Sequence, residues 1–111
     1  MKNTSSGFRR ISVEEAKSLI DNEPHITIAD IRDDESFYNN NIRDSVHVTS
    51  ESIENFLKST NKENPLLIYC YHGVNSQSAA EYFVKEGFKH VFSMDGGFSE
   101  YEKSFHHTGD N

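Results

Sequence analysis

The sequence predicts an α/β fold, a central parallel sheet of about five strands with helices on both faces, and three observations carry that expectation. Short β-type runs alternate with stretches of helical spacing, the pattern that builds successive parallel strand–helix units. One run, PLLIYC at residues 65–70, is apolar almost throughout, as a strand covered on both faces must be. The only cysteine, Cys70, ends that run just before a helical stretch. In open parallel sheets ligands sit beyond the carboxyl ends of the strands.

The elements follow in order. An N-terminal stub lies around Phe8 to Ile11. Ser12 with Glu15 three residues on is a capping box, and Val13, Ala16, Leu19 and Ile20 share one face of the helix it opens. Pro24 interrupts the chain, HITIAD reads as a strand ending at Asp30, and DDESFYNN starts with acidic residues suited to a helix N-terminus. SVHVT is the next strand. Ser50 or Ser52 caps ESIENFLKST, where Ile53, Phe56 and Leu57 keep helical spacing. PLLIYC, the most apolar strand, belongs in the centre. SQSAAEYFVKEG is a helix with Ala79, Ala80, Phe83 and Val84 inward and Gly87 as its stop. HVFSMDGG supplies the last strand and a turn, and FSEYEKSF a closing helix.

A chain of 111 residues accommodates one domain, 1–111, with a core over about 8–105 and a flexible tail at 106–111. Hydrophobic residues reach only 34%, so the 8 Phe and 5 Tyr must supply much of the buried area. The net charge of −7 argues against nucleic-acid or anionic-membrane partners, which need basic patches. A single cysteine excludes an internal disulfide. The polar start MKNTSSGFRR lacks the apolar core of a signal peptide, and no apolar run is long enough to span a bilayer. A cytoplasmic protein is therefore expected.

Cysteine reacts as thiolate, and a helix N-terminus facing it lowers its pKa. Residues Tyr71, His72, Gly73, Val74, Asn75 and Ser76 lead from Cys70 into the helix and are positioned to wrap backbone N–H groups around the sulfur. Gly73 supplies the positive φ such a curl often requires. His72 is the one loop side chain able to carry positive charge near neutral pH, with turn formation as its alternative role. The opposing reading of Cys70 is a buried thiol behaving as a small hydrophobe. Asp30 and Arg32 either support the loop from the neighbouring strand end or form a local ion pair. Tyr69 and Tyr71 are expected in the core, on the faces opposite Cys70. Gly96 and Gly97 read as a tight turn. His106 and His107, adjacent in a polar tail, do not make a metal site, and no metal or organic cofactor is expected.

The loop CYHGVNS resembles the active-site loop of rhodanese-type sulfurtransferases, in which a cysteine heads a six-residue loop leading into a helix. ISVEEAKSLI, IADIRDDESF, SVHVTSESIENFL and SMDGGFSEY are similar to further segments of that family, so the likeness covers about Phe8 to Tyr101. It is closest to the single-domain thiosulfate sulfurtransferases. The resemblance implies a ping-pong transfer: Cys70 takes the outer sulfur of thiosulfate, releases sulfite, and passes the sulfur from a persulfide to cyanide or a dithiol, such as a thioredoxin-like protein. It implies Cys70 as nucleophile and Tyr71 to Ser76 as the anion cradle. The alternative is a sulfur-relay or interaction module fed by a protein donor. In related cysteine phosphatases the loop has an extra residue or ends in an arginine that clamps the oxyanion; this chain has Ser76 after the loop, and no arginine follows Arg43. Where relatives typically carry a lysine after the loop serine, this chain has Gln77.

Overall fold

The computed structural model describes residues 7–109, with side chains to 105. Five strands and five helices alternate: β1 (Phe8–Ile11), α1 (Val13–Asn22), β2 (Thr27–Asp30), α2 (Asp34–Asn39), β3 (Val46–His47), α3 (Ile53–Ser59), β4 (Leu66–Tyr69), α4 (Asn75–Lys85), β5 (Val91–Met94) and α5 (Gly97–Gly109). The sheet is wholly parallel in the order β1-β5-β4-β2-β3. As the apolar run predicts, β4 is central, and all four of its residues are buried.

Alternation along the strands sorts the core into two layers. Ile28, Leu67, Tyr69 and Met94 face one side with Val13 and Ala16 of α1 and Phe98 of α5. Ala29, Leu66, Ile68 and Val91 face the other with Phe56 of α3 and Ala80 and Phe83 of α4. Phe83 lies edge-on to both Phe56 and Phe88, at centroid distances of 5.6 and 5.4 Å, so aromatics fill this second layer.

Local signals explain most boundaries. Ser12 Oγ accepts from the Glu15 amide at 3.1 Å and the Glu15 carboxylate accepts from the Ser12 amide at 2.8 Å, closing the capping box. Asp33 caps α2 by accepting from the Ser36 amide. Gly87 ends α4 with a φ of +104°.

Four expectations need correction. β3 spans two residues rather than five, because only Val46 and His47 pair with β2. Ser52 precedes α3 but does not cap it through its side chain; its hydroxyl bonds inside the Thr49 turn and donates to the His47 carbonyl. Cys70 stands one residue past β4 rather than within it. The closing helix, expected over 98–105, runs from Gly97 to Gly109, and Asp110 and Asn111 lie outside the described residues. No helix among these residues is long and apolar enough to cross a membrane.

Candidate active site

Cys70 leaves the carboxyl end of the central strand and sits where the chain turns toward α4. Its residue is 5% exposed, so the sulfur is close to the surface without being free in solvent. The Gly73 amide donates to Sγ at 3.1 Å and the Ser76 amide at 3.3 Å. Burial pushes the thiol up, but the Ser76 hydroxyl and the amides of Ser76, Gly73 and His72 outweigh it and hold Cys70 below the ordinary cysteine range.

The His72 amide faces inward because the carbonyl of its peptide is held outward, and two further loop carbonyls are anchored beside it. A trans peptide directs its C=O and N–H to opposite sides. The Tyr71 carbonyl accepts from the Ser99 amide at 2.9 Å, which leaves the His72 N–H on the sulfur side. The Cys70 carbonyl accepts from the Phe98 amide at 2.8 Å. The Gly73 carbonyl accepts from Gln77 Nε2 at 2.9 Å. The first turn of α5 and the side chain after the loop serine thus anchor the loop backbone. Gln77 is turned inward onto the loop.

Two glycines make this contact possible. Gly73 has a φ of +88°, and a side-chain carbon there would lie 2.6 Å from the Gly96 nitrogen. Gly97, at +63°, would place one 2.5 Å from the Tyr71 carbonyl carbon and oxygen and 2.7 Å from the Cys70 oxygen. The Gly96–Gly97 turn therefore abuts the loop directly. Gly97→Ala should cost about 2–4 kcal/mol, because strain at positive φ adds to a clash with immovable backbone. Urea unfolding measures the loss, and an unchanged midpoint would contradict the close approach.

The six loop residues do not act alike. Gly73 and Ser76 are buried and touch the sulfur, whereas Tyr71, His72, Val74 and Asn75 are exposed. Tyr71 is 49% exposed, against the expectation that it packs in the core. Strand alternation stops at Tyr69, so the face argument no longer applies there. Its ring stacks on His72 with centroids 4.9 Å apart and the planes nearly parallel. Tyr69 is buried, donates to Ser45 Oγ and accepts from the Ile42 amide; burial pushes its hydroxyl up.

Asp30 and Arg32 form a buried ion pair, with Arg32 Nη2 2.7 Å from Asp30 Oδ2 and Nε 3.1 Å from both carboxylate oxygens. Burial alone would lower the Arg32 pKa, but the Asp30 carboxylate more than compensates and raises it. The pair reaches the loop indirectly. The guanidinium lies 4.2 Å from the Phe98 ring centroid, and the Phe98 amide holds the Cys70 carbonyl. Sequence reasoning missed Ser93 altogether. It is fully buried on β5, with Oγ 2.8 Å from Ser76 Oγ. No cluster of metal-ligating side chains occurs among the described residues, and the side chains of His106 and His107 lie outside them.

The family model for the rhodanese-like domain matches residues 12–104. The chain is 42% identical over 98 residues to the thiosulfate sulfurtransferase GlpE of Pseudomonas syringae pv. syringae, covering 88% of this chain and 91% of that protein. It is 39% identical over 103 residues to thiosulfate sulfurtransferase GlpE of Coxiella burnetii, covering 93% and 94% respectively. Among solved structures, a rhodanese-like domain protein from Staphylococcus aureus superposes with a TM-score of 0.74 at 26% identity, covering 85% of this chain and 91% of that one. A parallel α/β sheet with a lone thiol cradled by amides beyond its central strand, matched over most of its length by such relatives, belongs to the rhodanese-like family and is a sulfurtransferase of the rhodanese type.

Proposed function

We propose that the protein is a thiosulfate sulfurtransferase acting through a persulfide on Cys70 in the cytoplasm. The observation that carries this reading is the pair of loop amides, from Gly73 and Ser76, aimed at Sγ. Donors fixed around a position where negative charge develops stabilise it without reorganising. The Cys70 thiolate attacks the outer sulfur of thiosulfate. The new S–S bond forms as the old one breaks, and the electron pair leaves with sulfite. The persulfide then carries one negative charge on its terminal sulfur, within reach of the same amides. A thiophilic acceptor, cyanide or a dithiol such as a thioredoxin-like protein, attacks that sulfur and returns the thiolate. Dividing the transfer in two replaces one difficult step with two easier ones, and no cofactor is required.

Intact-mass measurement after thiosulfate treatment tests the reading. The expected result is a gain of one sulfur atom, removed by dithiothreitol or cyanide and located on Cys70. An unchanged mass together with no sulfite release would overturn it. The alternative, a relay module charged by a protein persulfide, is favoured by one observation. Gln77 bonds to the Gly73 carbonyl and brings no cation to the loop of a chain with net charge −7. In that case a persulfide-bearing protein would load Cys70 where thiosulfate does not.

A further inference from the structure

We propose that the face of the sheet around Cys70 is a docking surface for an acceptor protein that offers a protruding thiol ringed by lysine or arginine side chains. The inference deepens the function proposed above and rests on Cys70 carrying transferable sulfur.

Exposed apolar side chains gather beside the thiol. Tyr71 is 49% exposed, Val74 68% and Tyr82 42%, and all three belong to the loop or to α4. Val74, Ser78 and Tyr82 recur every four residues, so they mark one solvent-facing stripe of α4 that starts at the loop. An apolar patch rimmed by polar residues suits contact with another protein. Cys70 lines neither the recess beside α3 nor the one between α1 and α5. Its residue is 5% exposed while Tyr71 and Val74 stand clear, so a partner's thiol must project beyond its own surface to reach Sγ.

Charge selects the partner. In a wholly parallel sheet the strands all end on one side, and the helix after each strand starts there. Those starts carry exposed carboxylates: Glu14 and Glu15 on α1, Asp34 and Glu35 on α2, Glu54 on α3 and Glu100 on α5. Each complements its own helix dipole, but together they surround the strand ends where the thiol sits. The first turn of α4 has no acid, which leaves that N-terminus to the sulfur. Arg10 is paired with Asp95 at 2.9 Å, Arg32 with Asp30 at 2.7 Å, and Arg9 lies over the Phe92 ring. Lys58 and Lys85 stand in the last turns of α3 and α4, at the far end. The negative charge of a chain at −7 is thus concentrated on the reactive face.

Acceptor attack brings two anions together. The partner's thiolate attacks the terminal sulfur of the Cys70 persulfide. The new S–S bond forms on the partner, the bond to Sγ breaks, and its electron pair returns to Cys70 as thiolate. A carboxylate ring adds to the repulsion of an acidic partner, whereas basic side chains neutralise the ring and speed encounter. Thiosulfate meets the same repulsion, offset at short range by the loop amides.

The experiment uses the full chain and two cysteine peptides, alike except that lysines flank the cysteine in one and glutamates in the other. Each carries a leucine beside the cysteine and is activated as its mixed disulfide with thionitrobenzoate. Attack by the Cys70 thiolate joins the peptide to Cys70 and releases thionitrobenzoate, so the rate is read without thiosulfate. At low ionic strength the lysine peptide should react at least about tenfold faster, and the ratio should shrink severalfold in ~0.5 M salt as the ring is screened. In E54Q/E100Q, checked for folding by its melt, the ratio should fall at least about twofold. V74S and Y82A should slow the lysine peptide more than they slow iodoacetamide. Equal peptide rates at low salt, a ratio insensitive to the carboxylate variant, or slowing shared equally with iodoacetamide would overturn the surface. Should E54Q/E100Q not fold, the salt series on the parent decides. A lysine preference in a protein that gains no sulfur from thiosulfate would defeat the thiosulfate reading alone, whereas sulfur gain with equal peptide rates would defeat the surface alone.

Discussion

Cys70→Ser abolishes sulfur transfer from thiosulfate, with a fall in sulfite release on the order of a thousandfold or more, to the uncatalysed background. The expectation comes from acidity and polarisability. The hydrogen bonds of the loop hold the thiol below the ordinary cysteine range, but a serine hydroxyl starts several powers of ten less acidic and gains no comparable population of anion. The fold should not suffer. An oxygen at this position still accepts from Gly73 and Ser76, so the loop keeps its two donors occupied. Sulfite release measured beside a thermal melt separates the two effects. A variant that melts like the parent, binds no sulfur by intact mass and releases no sulfite fits the mechanism; retained turnover removes Cys70 as nucleophile.

Asp30→Ala lowers stability by about 3–5 kcal/mol, the cost of leaving a buried guanidinium without its partner. Asp30 is fully buried and the Arg32 side chain is 4% exposed, so water cannot replace the carboxylate. Asp30 also accepts from the Arg32 amide at 2.8 Å, and Arg32 Nη2 donates to the Asn40 carbonyl at 2.6 Å, tying β2 to the segment that leads into β3. For a domain of this size the melting temperature should fall by more than about 10 °C. Asp30→Ala with Arg32→Met should recover part of the loss, because the stranded charge goes with its partner. A single variant that melts within a degree or two of the parent would show that the pair is not buried as described.

Local grammar carries far in this chain. The capping box of α1, the Gly87 stop and the centrality of β4 depend on neighbours a few residues away or on bulk apolarity, both of which a linear sequence displays. Cys70 with Gly73 and Ser76 is legible for the same reason, since the donors lie within six residues of the sulfur. Ser93 is not, because it meets Ser76 only through the β4–β5 register, 17 residues away along the chain. Tyr71 misleads because strand alternation does not reach it, two residues past the end of β4. Gln77 reads as a missing cation in the sequence; only the fold reveals its amide bracing the Gly73 carbonyl. Asp30 and Arg32 are too close in sequence to conceal their pairing, yet their path to the loop through Phe98 depends on how α5 packs.

The carbonyls around Cys70 are anchored to two helices on opposite layers of the domain, α5 through Phe98 and Ser99 and α4 through Gln77. This double mooring fixes the bore of the ring. A residue inserted in the loop must therefore be absorbed between anchor points that belong to both layers. The shape of the cradle is in that sense a mechanical property of the scaffold.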